Sequence, residues 1–126
     1  MSKRLMSRLL LSIVAACCLG CEPEQQDLGA GTDHFLAAQD AIAAGDKELA
    51  IKELDASIAA QPDAWAYFQR GRLLAEKGDD DKALADCVAG QQLDPEHTGL
   101  KWLRAELKKP LDGRFKGRNA EPPVGK

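Results

Sequence analysis

Apolar residues return at helical spacing in five consecutive segments of the chain. Phe35, Ala38, Ala41 and Ile42 share one face, and Ala50, Ile51, Leu54, Ser57 and Ile58 share the next. Ala64, Tyr67, Phe68, Gly71, Leu74 and Ala75 form the third. Ala83, Leu84, Cys87, Val88 and Gln91 form the fourth, and Leu100, Leu103 and Leu107 the fifth. The breakers between them agree. Gly45 and Gly78 suit the left-handed residue that ends a helix, and Asp46 and Asp79 are placed to cap the one that follows. Asp94-Pro95 sets a cap before a proline in the first turn, where its missing N–H removes no hydrogen bond. Connections this short predict antiparallel helix hairpins and an all-α fold.

The hairpins repeat. Gly45-Asp46, Ala50-Ile51, Leu54, Ser57 and Pro62 stand 33 positions before Gly78-Asp79, Ala83-Leu84, Cys87, Gly90 and Pro95. A fixed period of this length marks a solenoid, in which each unit buries its apolar face on its neighbour. Residues 97–109 then form the closing helix, with Trp102 over the end of the core.

Unit by unit, these residues resemble the tetratricopeptide repeat family. In the second unit Tyr67 stands at the first aromatic position, Gly71 at the small position where paired helices touch, and Leu74 at the next bulky one. Gly78 stands in the turn, Ala83 at the tight contact of the second helix and Pro95 at the end of the unit. Arg70 departs from the family's Leu, Cys87 from its aromatic and Gly90 from its Ala. The first unit keeps Ala38, Gly45, Ala50, Leu54, Ser57 and Pro62, with His34 at the first aromatic position and Ala41 at a bulky one. The resemblance covers about residues 31–109 and implies a short α-solenoid: two repeats and a capping helix. It also implies a concave groove lined by the first helices. Its walls would be Phe35, Gln39 and Ile42 from the first unit and Trp65, Phe68, Arg72 and Glu76 from the second. Trp65, Phe68 and Arg72 there combine two apolar anchors with a cation able to fork onto a carboxylate. The lysines and asparagines of the family's chaperone-tail clamp are absent.

The N-terminus carries an address. Lys3, Arg4 and Arg8 precede an uncharged apolar run from Leu9 to Gly20, a secretory pattern too short to span a bilayer as a helix. Leu19-Gly20-Cys21 resembles the lipobox of bacterial lipoproteins, which makes Cys21 the expected lipidated residue, with Val14-Ala15-Ala16-Cys17 offering Cys17 as the alternative. The layout is therefore a signal peptide over 1–20, a lipidated Cys and flexible tether over 21–32, the helical domain over 33–109 and a basic disordered tail over 110–126. Glu22 rather than Asp after Cys21 inclines the sorting towards the outer membrane, with the domain facing the periplasm. A signal that exports the chain argues against nucleic acid as a partner.

Composition narrows the chemistry. The 126 residues are 44% apolar but only 5% aromatic, so the core must come from Ala, Leu and Ile. Loss of residues 1–20 removes three cations and no acid, moving the formal charge from −3 to −6. Residues 33–96 are acidic and 97–126 basic, a split that reads first as a solvated surface and second as a tail seeking an anionic surface or acidic partner. Of four Cys, Cys17, Cys18 and Cys21 sit in the address and Cys87 stands alone in the body, which excludes a disulfide framework. Cys87 is expected as a buried thiol with no base beside it, His34 as a packed ring and His97 as a solvated one. Asp79-Asp80-Asp81 lacks the alternation and glycine of a calcium loop and complements a helix dipole instead. No nucleotide, zinc or nucleophile motif is present, so no cofactor and no catalysis are expected. The expected function is an envelope lipoprotein acting as an interaction adaptor or assembly factor: its lipid holds the membrane and its groove holds an envelope protein or peptide. The rival readings are a self-associating spacer, dimeric through the groove or the Trp102 end, and a small enzyme or metal-handling protein using Cys87 and His97.

Overall fold

The computed structural model describes residues 29–117 and 120–123. The signal segment, Cys17, Cys21 and most of the tether lie outside the described residues. Five α-helices follow one another: α1 Ala30–Ala43, α2 Lys47–Ala60, α3 Ala64–Lys77, α4 Asp80–Leu93 and α5 Thr98–Glu106, then a 3-10 turn at Leu111–Gly113. The chain is all-α among the described residues. The pairs α1/α2 and α3/α4 are the tight hairpins, α3 lies on α2, and α5 closes the stack against α3 and α4. This is a short α-solenoid of two helix hairpins and a capping helix.

The turns follow from their residues. Gly45 and Gly78 both take left-handed backbone, at φ 79° and 87°, where a Cβ would clash with the chain itself. Asp46 then caps α2 by accepting from Leu49 N–H at 3.0 Å, and Asp63 caps α3 by accepting from Trp65 and Ala66. Two expected caps are not used. Asp79 makes no side-chain cap bond on α4. Pro95 lies before α5 rather than in its first turn, because the cap is His97, whose Nδ1 accepts from Leu100 N–H at 3.2 Å. That bond requires a bare Nδ1 and so places the proton of the neutral ring on Nε2.

Two apolar clusters fill the stack. The first joins Ala38, Ala41, Ala50, Leu54 and Ile58 to Ala66 and Leu73. The second joins Phe68, Leu74, Ala75, Ala83 and Cys87 to Leu100, Trp102 and Leu103, so Trp102 does cover the end of the core. Ile51 packs against both. The positions that depart from the resembled pattern make local contacts of their own. A Cβ on Gly90 would stand 2.6 Å from Leu100 Cδ1 and 3.2 Å from Tyr67 Cβ, so the capping helix occupies the space an Ala would need. Arg70 joins three helices: Nε and Nη2 fork onto Asp86 at 2.9 and 2.6 Å, and Nη1 reaches Asp55 at 2.8 Å. Asp86 is buried, and two charge-assisted bonds offset its desolvation.

Two expectations about surfaces fail. Leu84 and Val88 share the fourth apolar pattern, yet each is 43% exposed, since only Ala83 and Cys87 of that set turn inward to burial. The region after Pro110 is not a solvated tail up to Phe115. Arg114 is 6% exposed and forks onto Asp80 at 2.6 Å through both terminal nitrogens, while donating to the carbonyls of Leu107 and Lys109 at 3.2 and 2.9 Å. Phe115 takes φ 52° and donates its N–H to the buried Glu106 at 3.0 Å; its ring meets Trp102 at 5.4 Å. Lys109 completes the Glu106 pairing.

Candidate functional site

One face of α3 presents Trp65, Phe68, Arg72 and Glu76 in the i, i+3, i+7, i+11 order that a helix aligns. Their fates differ. Trp65 is 56% exposed, with its ring edge-to-face against His97 at 4.5 Å. Phe68 is only 2% exposed and packs among Trp65, His97 and Trp102, at 5.9, 5.5 and 6.4 Å between centroids. It is therefore a core residue and not a groove anchor: α5 delivers His97 and Trp102 onto the position a ligand would have used. His97 is buried for the same reason, contrary to its expected solvation, and its Nε2 has no hydrogen-bond partner among the described residues.

Arg72 carries most of the polar contacts of the face. Its guanidinium lies 5.7 Å over the Trp102 ring and forks onto Glu121 at 3.0 and 3.1 Å, with Glu76 at 3.5 Å from Nε. Stacking on an indole and a two-point carboxylate contact both fix the plane of the group. The Glu121 carboxyl is held below its ordinary range by the Arg72 hydrogen bond. Glu76 also accepts from Lys47 at 2.7 Å, which ties α3 to the start of α2. Around this pair Ile42, Gly45, Gln69 and Leu73 complete a cavity of about 300 Å³. Ile42 and Arg72 are thus brought together.

Phe35 and Gln39 lie elsewhere on α1. Phe35 is half-buried and lines a second cavity of about 170 Å³ with Gly31, Thr32, Ser57, Gln61 and Asp63. Gln39 is half-buried, with its Nε2 enclosed and unpartnered among the described residues. The seven groove residues are thus dispersed: Phe35 lines one shallow cavity, Ile42, Arg72 and Glu76 another, Gln39 lines neither, Trp65 is exposed and Phe68 is buried. Glu121 and Arg114 were not anticipated. Their signal was a lone acid and a Phe within a basic stretch, which composition reads as solvated.

The chemistry-bearing residues are quiet. Cys87 is fully buried, and burial first, then the neighbouring Asp86 charge, pushes its thiol up to about 11, far from a reactive thiolate. His34 is half-exposed rather than packed, with Nδ1 at 2.7 Å from Glu53. Asp80 spends its carboxylate on Arg114, whose hydrogen bond holds it below the ordinary range. Among the described residues no three His, Cys, Asp or Glu side chains are grouped to hold a metal, and no helix is long and apolar enough to cross a membrane. No protein-family model, curated protein or solved structure matches the chain.

Proposed function

We propose that this chain is a lipid-anchored envelope lipoprotein of the tetratricopeptide kind, an adaptor or assembly factor that holds an acidic segment of another protein beside α3. The observation that carries the reading is Arg72, stacked on Trp102 and already forked onto a carboxylate at the rim of a cavity that mixes charged residues with Ile42 and Leu73. A partner carboxylate takes the place of Glu121, Ile42 and Leu73 contribute apolar contact, and exposed Trp65 extends the contact along the face. An exposed ion pair is weak, so Glu121 yields readily. The lipid, on Cys21 with Cys17 as alternative, confines the domain to the periplasmic face of the membrane, and confinement raises effective concentration enough for a shallow site to serve. The mechanism is tethering, without catalysis or cofactor.

Photocrosslinking from Gln69 in intact cells tests this reading, because Gln69 lines the Arg72 cavity and leaves the arginine in place. A discrete foreign protein, lost in Arg72→Ala, is the expected result. An adduct to other copies of the chain alone, or none at all, overturns the adaptor reading.

A further inference from the structure

We propose that the outer face of α4 is a homotypic docking surface, on which a second copy of this chain lays its own α4 antiparallel about a two-fold axis. The repeat shows what that face lacks. Thirty-three positions earlier stand Ile51 and Asp55, the counterparts of Leu84 and Val88. Ile51 is half-buried because the next unit lies over it: Ile51 and Asp55 share a cavity wall with Arg70 of α3 and Lys82, Ala85 and Asp86 of α4. After α5 the chain turns back through Leu111–Gly113 and Arg114 clips it to Asp80, so no described helix comes to cover the outer face of α4 in turn. Solenoid ends ordinarily carry a polar outer face. Here Leu84, Ala85 and Val88 lie open and Ala89 half-buried between Asp81 and Gln92, around a shallow depression of about 440 Å³.

The pattern on this face is complementary to itself. Reversal about the midpoint between Asp86 and Cys87 exchanges Leu84 with Ala89, Ala85 with Val88, and Asp81 with Gln92. In an antiparallel pair each large side chain therefore faces a small one, which lets two helices approach closely. The same reversal sets Asp81 against a neutral amide, whereas parallel pairing sets Asp81 against Asp81. An isologous contact requires this self-matching of both shape and charge. The Asp79-Asp80-Asp81 run at the end of the face disfavours an anionic lipid surface as occupant. One helix face falls well short of the roughly 1,200–2,000 Å² of a stable complex, so the pair is weak in dilute solution and forms where copies are concentrated. It uses none of the groove residues and stands independently of the adaptor reading.

Sedimentation of the full chain across a concentration series, in excess detergent, tests the proposal. A monomer–dimer equilibrium is expected, and it is lost in Leu84→Lys/Val88→Lys, where both side chains are exposed and the helical circular dichroism persists. The register has its own test. Gln92→Lys adds two Lys–Asp81 pairs per dimer and tightens it about threefold to fivefold, while Gln92→Asp weakens it by a similar factor. Asp81→Lys combined with Gln92→Asp restores dimerisation. A chain monomeric at every concentration, or a dimer indifferent to Leu84→Lys/Val88→Lys, overturns the surface. A dimer that responds to the double lysine variant but not to the sign of charge at position 92 overturns the antiparallel register.

Discussion

The two hairpins share one repeat and are held together differently. In α1/α2 the interior is Ala38, Ala41, Ala50, Leu54 and Ile58, and the buried Ser57 hydroxyl donates to the carbonyl of Gly31 at 2.7 Å. In α3/α4 aromatic rings and charges do much of the joining: Phe68 with Trp102 and His97, Arg70 with Asp86, and Arg114 with Asp80. The difference lies in what each hairpin touches next. The first meets another hairpin, whose helix surface is regular, so small and branched residues interdigitate. The second meets a single helix and a returning strand of chain, an irregular partner that rings and forked ion pairs fit better than methyl groups do. Register fixes where helices lie; the neighbour fixes what fills the space between them.

Substitutions that act on one hairpin sharpen the contrast. The largest effect is expected at the apolar centre of the first unit, where Leu54 is fully buried. Leu54→Ala should lower stability by about 2–5 kcal/mol in denaturant titration, since nothing nearby can refill the cavity. In the second unit, Asp86→Ala should cost about 2–3 kcal/mol by leaving Arg70 only the exposed Asp55 carboxylate and the Tyr67 ring. Arg70→Leu with Asp86→Leu should recover most of that loss, because an apolar pair removes both desolvated charges together. If the double variant is worse than Asp86→Ala, the ion pair is essential rather than one solution among several. Gly90→Ala sets a helix-propensity gain of about 1 kcal/mol against overpacking on Leu100 of about 1–3 kcal/mol. A net loss near 1 kcal/mol is expected, and a net gain would mean that α5 shifts freely.

Acid separates the hairpins without mutation. Burial works to raise the Glu106 carboxyl, but hydrogen bonds from Lys109 and Phe115 N–H and the nearby Arg114 charge leave it lowered; Asp80 is lowered by the Arg114 hydrogen bond. Folded values below unfolded ones mean a contribution that is complete above about pH 4 and is lost as pH falls through the folded values. In a Trp65→Phe background, Trp102 emission should therefore change only on the acid side of about pH 4, and Arg114→Ala should show the released signal at neutral pH. The smallest effect belongs to the exposed Glu121. Glu121→Gln should change stability by no more than about 1 kcal/mol while raising crosslinking from Gln69.

Helical periodicity and the 33-residue register made all five helices, the two glycine turns, buried Cys87 and the Trp102 cover legible from sequence. Periodicity reports a face and not what lies opposite it. Phe68 and Arg72 share a face, yet α5 buries the first among rings and sets only the Trp102 ring against the second, whose guanidinium stays partly exposed. Leu84 matches the first unit's Ile51 in sequence but not in burial, because burial depends on a following unit that the described chain does not supply. The burial of His97 and Arg114 was illegible for another reason: a histidine cap and an arginine among lysines carry no local pattern, and their partners lie in the backbone of α5 and at Asp80.

The Arg114 guanidinium follows every group it binds in chain order: Ala75, Asp80, Leu107 and Lys109 all precede it. The first hairpin can reach its final packing as soon as α3 arrives, since its cluster draws on nothing beyond Leu73. The second waits for a residue that emerges after all five helices. A nascent or threaded chain thus matures from front to back, and its Arg114 clasp registers that the helices have already passed.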